Sequence, residues 1–272
     1  MRLTTRQQQN VAWLTGGLIF AGLIAAWWVL RPPTINPVTL CASEPVTSTV
    51  VVLDRTDLSA VQTTDEIRRR IQKHVETMAA GDRLSVFTVD DLSPTSLIPQ
   101  FDKCKPDTEY NELVQDVNAA KKRDKIRFFD PLERVLAAEH ASAKQSPIAE
   151  ALIDLSRSSY LRAKANNQLL IFSDMIQHKP PATMLACTNG EEFVDTFKRG
   201  RVGGTQRPAF ANLTVQLHVI PRSGLAAAGD SCRTYFWNWF FGDAVFTGTT
   251  PPSALIWDQL PGPVWSAPRG RP

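Results

Sequence analysis

Four apolar runs alternate with helix-like segments along the chain, and this alternation limits the possible folds more than any other feature of the sequence. The runs are rich in β-branched and aromatic residues, as expected for strands covered on both faces. They are STVVVLD (48–54), DRLSVFTVDD (82–91), NQLLIFSD (167–174) and LTVQLHVIP (213–221). Strands that alternate with helices predict an α/β domain with a mainly parallel central sheet flanked by helices.

Several segments between the strands have helix signals. Thr63 and Glu66 have the spacing of a capping box, and Ser146 before Pro147 is typical of a helix start. Helical patterns also occupy DPLERVLAAEHASA and EEFVDTFKRG. The aromatic segment CRTYFWNWFFGDAVF (232–246) is predicted to pack against the sheet as the last helix. A helix that is apolar all round has two alternative uses, which are docking a partner and contacting a membrane surface.

Acidic residues end three of the predicted strands. These residues are Asp54, Asp90, Asp91 and Asp174. Hydroxyl-bearing residues lie near the same ends at Thr56, Ser59 and Ser173, and Ser146 lies on a separate loop. Ligands of parallel α/β sheets bind beyond the carboxyl ends of the strands, so we expect these oxygens to share one rim. Carboxylates and hydroxyls together make an all-oxygen site, which suits a hard divalent ion such as Mg²⁺.

At these positions the chain resembles the von Willebrand factor A family, whose fold is an α/β, Rossmann-like domain. That family carries a metal-ion-dependent adhesion site built from an Asp-x-Ser-x-Ser motif, a middle-loop threonine and a late aspartate. By this resemblance Asp54 and Thr56 match the first two motif positions, Ser146 matches the middle-loop threonine, and Asp174 matches the late aspartate. The resemblance covers about residues 48–246 and implies bound Mg²⁺, or Mn²⁺ or Ca²⁺, with a partner carboxylate completing the coordination.

The sequence departs from the family pattern at two positions. Leu58 stands where the motif has its last serine, and Met175 replaces the usual glycine after the late aspartate. Ser59 is one residue late and Asp57 one residue early, and both are further candidate ligands. Each candidate also has a simpler role, because strand-end carboxylates accept backbone hydrogen bonds and Ser or Thr side chains cap helices.

An uncharged stretch of 20 residues, Val11–Leu30, is long enough to cross a bilayer as a helix. We predict an uncleaved single-pass anchor with residues 1–10 in the cytoplasm, because basic residues precede the span and tryptophans lie near both ends. A cleaved signal peptide is the alternative, but its apolar region is usually shorter. Residues 31–47, which contain four prolines, then form a linker to the domain at 48–246. This topology places the domain outside the cytoplasmic membrane of a bacterium, in the periplasm.

The cysteines and the C-terminal tail add two further expectations. The four cysteines are Cys41, Cys104, Cys187 and Cys232. Outside the cytoplasm an even number suits two disulfides, with three possible pairings that the spacing does not decide. A reversed topology would leave four thiols instead. Residues 247–272 are rich in Pro and Gly and are predicted to be a tail, which either packs on the domain or docks elsewhere.

The predicted function is protein binding, not catalysis. A formal charge of +3 is too small to indicate a nucleic-acid partner, and the chain has no P-loop, G-x-G-x-x-G, H-E-x-x-H or G-x-S-x-G motif. The stretch LDRTD is weakly similar to the nucleophile loop of haloacid-dehalogenase-like phosphatases, but Thr56 stands where that family has its general acid. We therefore expect an envelope module for protein interaction or assembly, with a metal-free scaffold docking through its aromatic helix or tail as the second hypothesis.

Overall fold

The computed structural model describes residues 13, 17, 20–27, 35–42, 45, 47–56, 61–89, 98–110, 116–138, 145–161, 166–201, 204, 206–208, 213–222, 227–242 and 254–260. The chain divides into two compact units, Met1–Ile35 and Asn36–Pro272. In the first unit residues 20–27 are helical. Among the described residues, no helix has both the length and the apolar character that a membrane span requires. Much of 11–30 lies outside those residues, so the anchor stays a prediction.

A six-stranded sheet forms the centre of the second unit, in the order β3-β2-β1-β4-β7-β8. Its strands are β1 (Thr47–Asp54), β2 (Arg83–Val89), β3 (Phe101–Cys104), β4 (Asn166–Ser173), β7 (Leu213–Val219) and β8 (Ala254–Gln259). All neighbours pair in parallel except β2 and β3. A small antiparallel ribbon joins β5 (His178–Lys179) to β6 (Ala182–Thr183). The mainly parallel sheet predicted from the sequence is confirmed.

Helices cover both faces of the sheet. They are α1 (Val61–Thr77), α2 (Val117–Asp124), α3 (Asp130–Ala137), α4 (Ile148–Ser156), α5 (Gly190–Arg199) and α6 (Ala227–Gly242). A π-helical turn, Lys125–Phe129, joins α2 to α3, and 3₁₀ turns occupy Ser159–Leu161 and Met184–Ala186. Side chains alternate across a strand, so Val50 and Val52 of β1 pack with α4, α5 and α6, while Val51 and Leu53 pack with α1 and α3.

The aromatic residues of α6 lie inside the domain. Phe236, Trp237, Phe240 and Phe241 are each at most 2% exposed, and their rings contact one another edge-to-face or stacked. This burial confirms the prediction that the last helix packs on the sheet. It also removes these four side chains as a docking surface for a partner.

Two helix starts differ from the sequence prediction. Thr63 lies inside α1 and is 2% exposed, and Glu66 accepts a hydrogen bond from Arg70, so the two residues do not form a capping box. Pro147, not Ser146, is at the N-cap of α4 and provides no side-chain cap. The hydroxyl of Ser146 instead donates to Asp54. A short polar side chain next to an apolar run is equally compatible with a helix cap and with such a tertiary hydrogen bond, which local spacing does not reveal.

The C-terminal segment and the cysteines complete the domain. Residues 254–259, which the sequence analysis placed in the tail, form edge strand β8 beside β7. The disulfides pair Cys41 with Cys104 and Cys187 with Cys232, which decides among the three pairings that the sequence left open. The first disulfide joins the segment before β1 to the end of β3, and the second joins the turn after β6 to α6.

Candidate functional site

Asp54, the last residue of β1, is at the centre of the polar rim. Its carboxylate is buried, with the residue only 7% exposed. The backbone N–H and the hydroxyl of Thr56 both donate to Oδ1, at 3.1 and 2.6 Å. The other carboxylate oxygen, Oδ2, accepts hydrogen bonds from the hydroxyls of Ser173 at 2.7 Å and Ser146 at 3.4 Å. Three hydroxyl groups therefore surround one carboxylate.

Ser146 and Ser173 are held in place by their backbones. Ser173 ends β4, which pairs in parallel with β1, so its hydroxyl lies beside the end of β1. Ser146 forms a two-way backbone bridge with His178, with N–O distances of 2.8 and 3.0 Å. The Ser173 hydroxyl also accepts the N–H of Met175 at 2.7 Å. These bonds fix the positions of Ser146 and Ser173 beside Asp54.

Asp174 directly follows β4 and is the second buried carboxylate, 7% exposed. Oδ1 accepts the backbone N–H of Ile176 at 2.8 Å, and Oδ2 accepts Nη1 of Arg222 at 2.6 Å. Burial, followed by the negative charge of Asp54, raises the pKa of Asp174 to about 6 against the opposing effects of the Ile176 N–H and Arg222. The two carboxylates are thus close enough to repel each other.

Helix α6 supports the loop that carries Asp174. Arg233 Nη1 donates to the Asp174 carbonyl oxygen at 2.9 Å, and Trp237 Nε1 donates to the Met175 carbonyl oxygen at 2.7 Å. Met175 has φ of +60°, the left-handed conformation that favours glycine, and its side chain is fully buried in the core. The methionine keeps the backbone shape of a glycine position and adds an apolar anchor.

The structure brings together the four principal residues predicted from the sequence: Asp54, Thr56, Ser146 and Asp174. The remaining rim candidates, Asp57, Ser59, Asp90 and Asp91, lie outside the described residues. His178 takes part through its backbone, and its Nδ1 lies 2.5 Å from the Thr183 hydroxyl. Sequence analysis missed Arg222. Its position three residues after β7, beyond the same sheet edge, was the available signal.

The donor set fits a divalent ion only in part. Oxygen-rich sites suit Mg²⁺, and the hydroxyls of Thr56 and Ser146 lie at Asp54. Leu58, however, supplies no oxygen at the third motif position. Asp174 already has a cation, Arg222, on one oxygen and a backbone N–H on the other. Within the described part of the chain, no group of three His, Cys, Asp or Glu side chains is placed to hold a metal ion. Metal binding stays a prediction.

Comparisons with known proteins give similar structures only. No family model matches the sequence, and no curated protein matches it. BatB from Bacteroides thetaiotaomicron is 11% identical, with 80% of this chain and 91% of that chain covered and a TM-score of 0.36. An aerotolerance-related membrane protein from Bacteroides fragilis NCTC 9343 is 11% identical, with 79% and 92% covered and a TM-score of 0.35. The SpRpn10 VWA domain is 9% identical, with 80% and 90% covered and a TM-score of 0.34.

The strand order locates the rim within the fold. From β1 the chain adds β2 and β3 on one side and then β4, β7 and β8 on the other, so the order switches between β1 and β4. Ligands of doubly wound sheets bind at this switch, beyond the carboxyl ends of the strands. Asp54 ends β1 and Asp174 directly follows β4, so the two residues flank the switch point. The second unit is an α/β domain with a mainly parallel sheet, and its polar rim lies at that point.

Proposed function

We propose that this protein is an envelope interaction module that binds a protein partner at the rim formed by Asp54, Asp174 and their neighbours. The observation that carries the proposal is the convergence of two buried carboxylates, three hydroxyls and an arginine at the switch point of the sheet. Buried charges and fixed hydroxyls at a ligand-binding edge are typical of recognition sites. The proposal does not require a metal ion.

Two features support a location at the cell envelope. Disulfides persist in oxidising compartments, and this domain contains two. In helix 20–27 the side chains of Phe20, Leu23 and Trp27 are 59–66% exposed, as expected for residues that contact lipid. We therefore propose that residues 11–30 anchor the chain in the cytoplasmic membrane, with the domain outside.

Binding is a better account of Asp54 than nucleophilic catalysis. Both of its oxygens accept hydrogen bonds from protein groups, and the residue is 7% exposed. In the phosphatase alternative a general acid would stand at position 56, but a threonine hydroxyl there donates to Asp54 and has no acidic proton at neutral pH. Asp54 thus acts as an acceptor that organises the rim.

Site-specific photocrosslinking in the native membrane tests the proposal. A photoreactive amino acid replaces His178, which is half-buried beside Ser146 at the rim. The matched control replaces Lys103, which is equally half-buried but lies on β3 near the opposite end of the sheet. We expect a discrete crosslinked protein from position 178 and not from position 103. A crosslink confined to position 103, or the same product from both positions, would contradict binding at the rim.

A further inference from the structure

We infer that the Arg222 guanidinium is the resident counter-charge of the rim and occupies the place beside Asp174 that a divalent cation would need. The contact that carries this inference is the 2.6 Å bond from Nη1 of Arg222 to Oδ2 of Asp174. The inference concerns the protein alone, so it is tested separately from partner binding.

Two buried carboxylates side by side need compensation, because a like-charged pair in a low-dielectric site is strongly unfavourable. Asp54 accepts hydrogen bonds from the hydroxyls of Thr56, Ser146 and Ser173. Asp174 is paired with a cationic side chain that belongs to the chain itself. The rim therefore contains the positive charge that an adhesion site takes from solution.

The pairing of β7 with β4 brings Arg222 to this position. Ser173 pairs with Val219, and the N–H of Ile220 then donates to the Ser173 carbonyl oxygen at 2.8 Å. This bond keeps the segments that follow β4 and β7 side by side one residue beyond β7. Asp174 and Arg222 come next on each chain, one and three residues after their strands. A contact between them follows from the register and needs no external ligand.

The same geometry disfavours a second cation at Asp174. An ion bound to Oδ2 would compete with a guanidinium nitrogen at 2.6 Å, and Oδ1 is bound by the Ile176 N–H at 2.8 Å. Two positive groups bound to the same carboxylate oxygen repel each other strongly in a site largely screened from water. Metal binding at this rim should therefore require the removal of Arg222.

Thermal unfolding of the full chain in detergent tests this inference, with each variant measured in EDTA and in millimolar Mg²⁺ or Mn²⁺ at constant ionic strength. The Tm of the natural sequence should be the same in EDTA, in Mg²⁺ and in Mn²⁺. Arg222→Gln should lower the Tm by about 5–10 °C in EDTA, because a buried carboxylate loses its partner. Divalent ions should raise the Tm of this variant. Arg199→Gln, at an exposed arginine of α5, is the control and should behave like the natural sequence.

A charge-neutral double variant, Asp174→Asn with Arg222→Gln, decides the outcome if the single variant does not fold. It should fold with a Tm near that of the natural sequence and show no response to metal, because it lacks both charges. A metal-dependent Tm rise in the natural sequence would overturn the inference, as would an Arg222→Gln variant with an unchanged Tm in EDTA. Failure of the double variant to fold would also overturn it, because Arg222 would then act in some way other than by charge compensation.

Discussion

At the residue scale, the rim shows how two buried carboxylates are accommodated next to each other. Asp54, Thr56 and Asp174 were predicted to meet there because parallel strands end at one edge of the sheet, and Ser146 was added by the resemblance to the adhesion-site motif. The contact between Asp174 and Arg222, which are 48 residues apart, was not predicted. Local periodicity carries no information about which charges pair over such a separation. The prediction of a metal site was made without this contact, which places a cationic side chain on Asp174.

Met175 offers a test of backbone strain at the rim. Met175→Ala should reduce the free energy of unfolding by about 2–5 kcal/mol, because a fully buried side chain is lost. Met175→Gly should be at least as stable as Met175→Ala, because φ is +60° and glycine adopts this conformation without steric cost. Urea unfolding measures both values.

The neighbouring Ile176 is the control for this comparison. It is 1% exposed, and it is not among the described non-glycine residues with positive φ. There the usual order should hold, with Ile176→Gly less stable than Ile176→Ala by about 1 kcal/mol. If Met175→Gly is also less stable than Met175→Ala by about 1 kcal/mol, the backbone at position 175 is not strained.

His218 on β7 makes stability depend on pH. Its ring stacks on Phe172 with centroids 4.4 Å apart, and Nδ1 lies 3.0 Å from Nη1 of Arg70. Burial, followed by the effects of Arg70 and His74, lowers the pKa of His218 to about 4 against the opposing effect of Asp258. A histidine with a depressed pKa disfavours the folded state once the unfolded chain binds a proton. Its contribution to stability is therefore present above about pH 6.5 and is lost as the pH falls toward 4.

The variant His218→Gln should remove this contribution. Between pH 7 and pH 4, the natural sequence should lose up to about 3 kcal/mol more unfolding free energy than the variant. Urea unfolding of both proteins across that pH range gives their difference in unfolding free energy. The contributions of other titrating groups cancel in this difference. Equal pH dependence of the two proteins would show that His218 is protonated as easily when folded as when unfolded.

At the element scale, α6 both fills the core and supports the rim. Its composition predicted burial, because five aromatic residues within six positions (236–241) exceed what a surface helix needs. The composition did not predict that the same helix holds the Asp174 loop through Arg233 and Trp237. Hydrogen bonds from a helix to a distant loop depend on tertiary register. One element therefore couples packing to site geometry.

Trp237→Phe tests this coupling. The change keeps an aromatic ring but removes the Nε1 donor to the Met175 carbonyl oxygen, leaving a buried acceptor without that partner. We expect a loss of about 1–3 kcal/mol beyond the effect of volume. Trp239→Phe is the matched control, because it removes the same atoms from a tryptophan of the same helix. The described contacts of Trp239 are ring contacts and cation–π contacts. Chemical denaturation of both variants measures the difference, and equal losses would mean that the hydrogen bond adds nothing.

At the scale of the whole domain, the two disulfides lie at different ends of the sheet. Cys104 pairs with Arg83, the first residue of β2, so the Cys41–Cys104 disulfide is opposite the rim. Cys232 adjoins Arg233, which binds the Asp174 carbonyl oxygen, so the other disulfide is next to the rim. The even cysteine count predicted two bonds, but the pairing depends on which loops meet in three dimensions.

Removing each disulfide by paired Cys→Ser changes should separate stability from rim function. The bonds span 63 and 45 residues, so the loop-entropy estimate gives a loss of about 4 kcal/mol for each. The losses should be similar because this estimate changes slowly with loop length. Guanidinium unfolding of the two double variants measures them.

Partner capture should distinguish the two variants even though their stabilities are similar. The variant without Cys187–Cys232 loses a constraint on α6 and hence on the Asp174 loop, so its photocrosslinking yield from position 178 should fall several-fold. The variant without Cys41–Cys104 should retain the yield at temperatures where it is folded, because its bond lies at the opposite end of the sheet. An equal loss of yield in both variants would mean that the yield depends on the stability of the whole domain. Rim geometry would then not depend on support from α6.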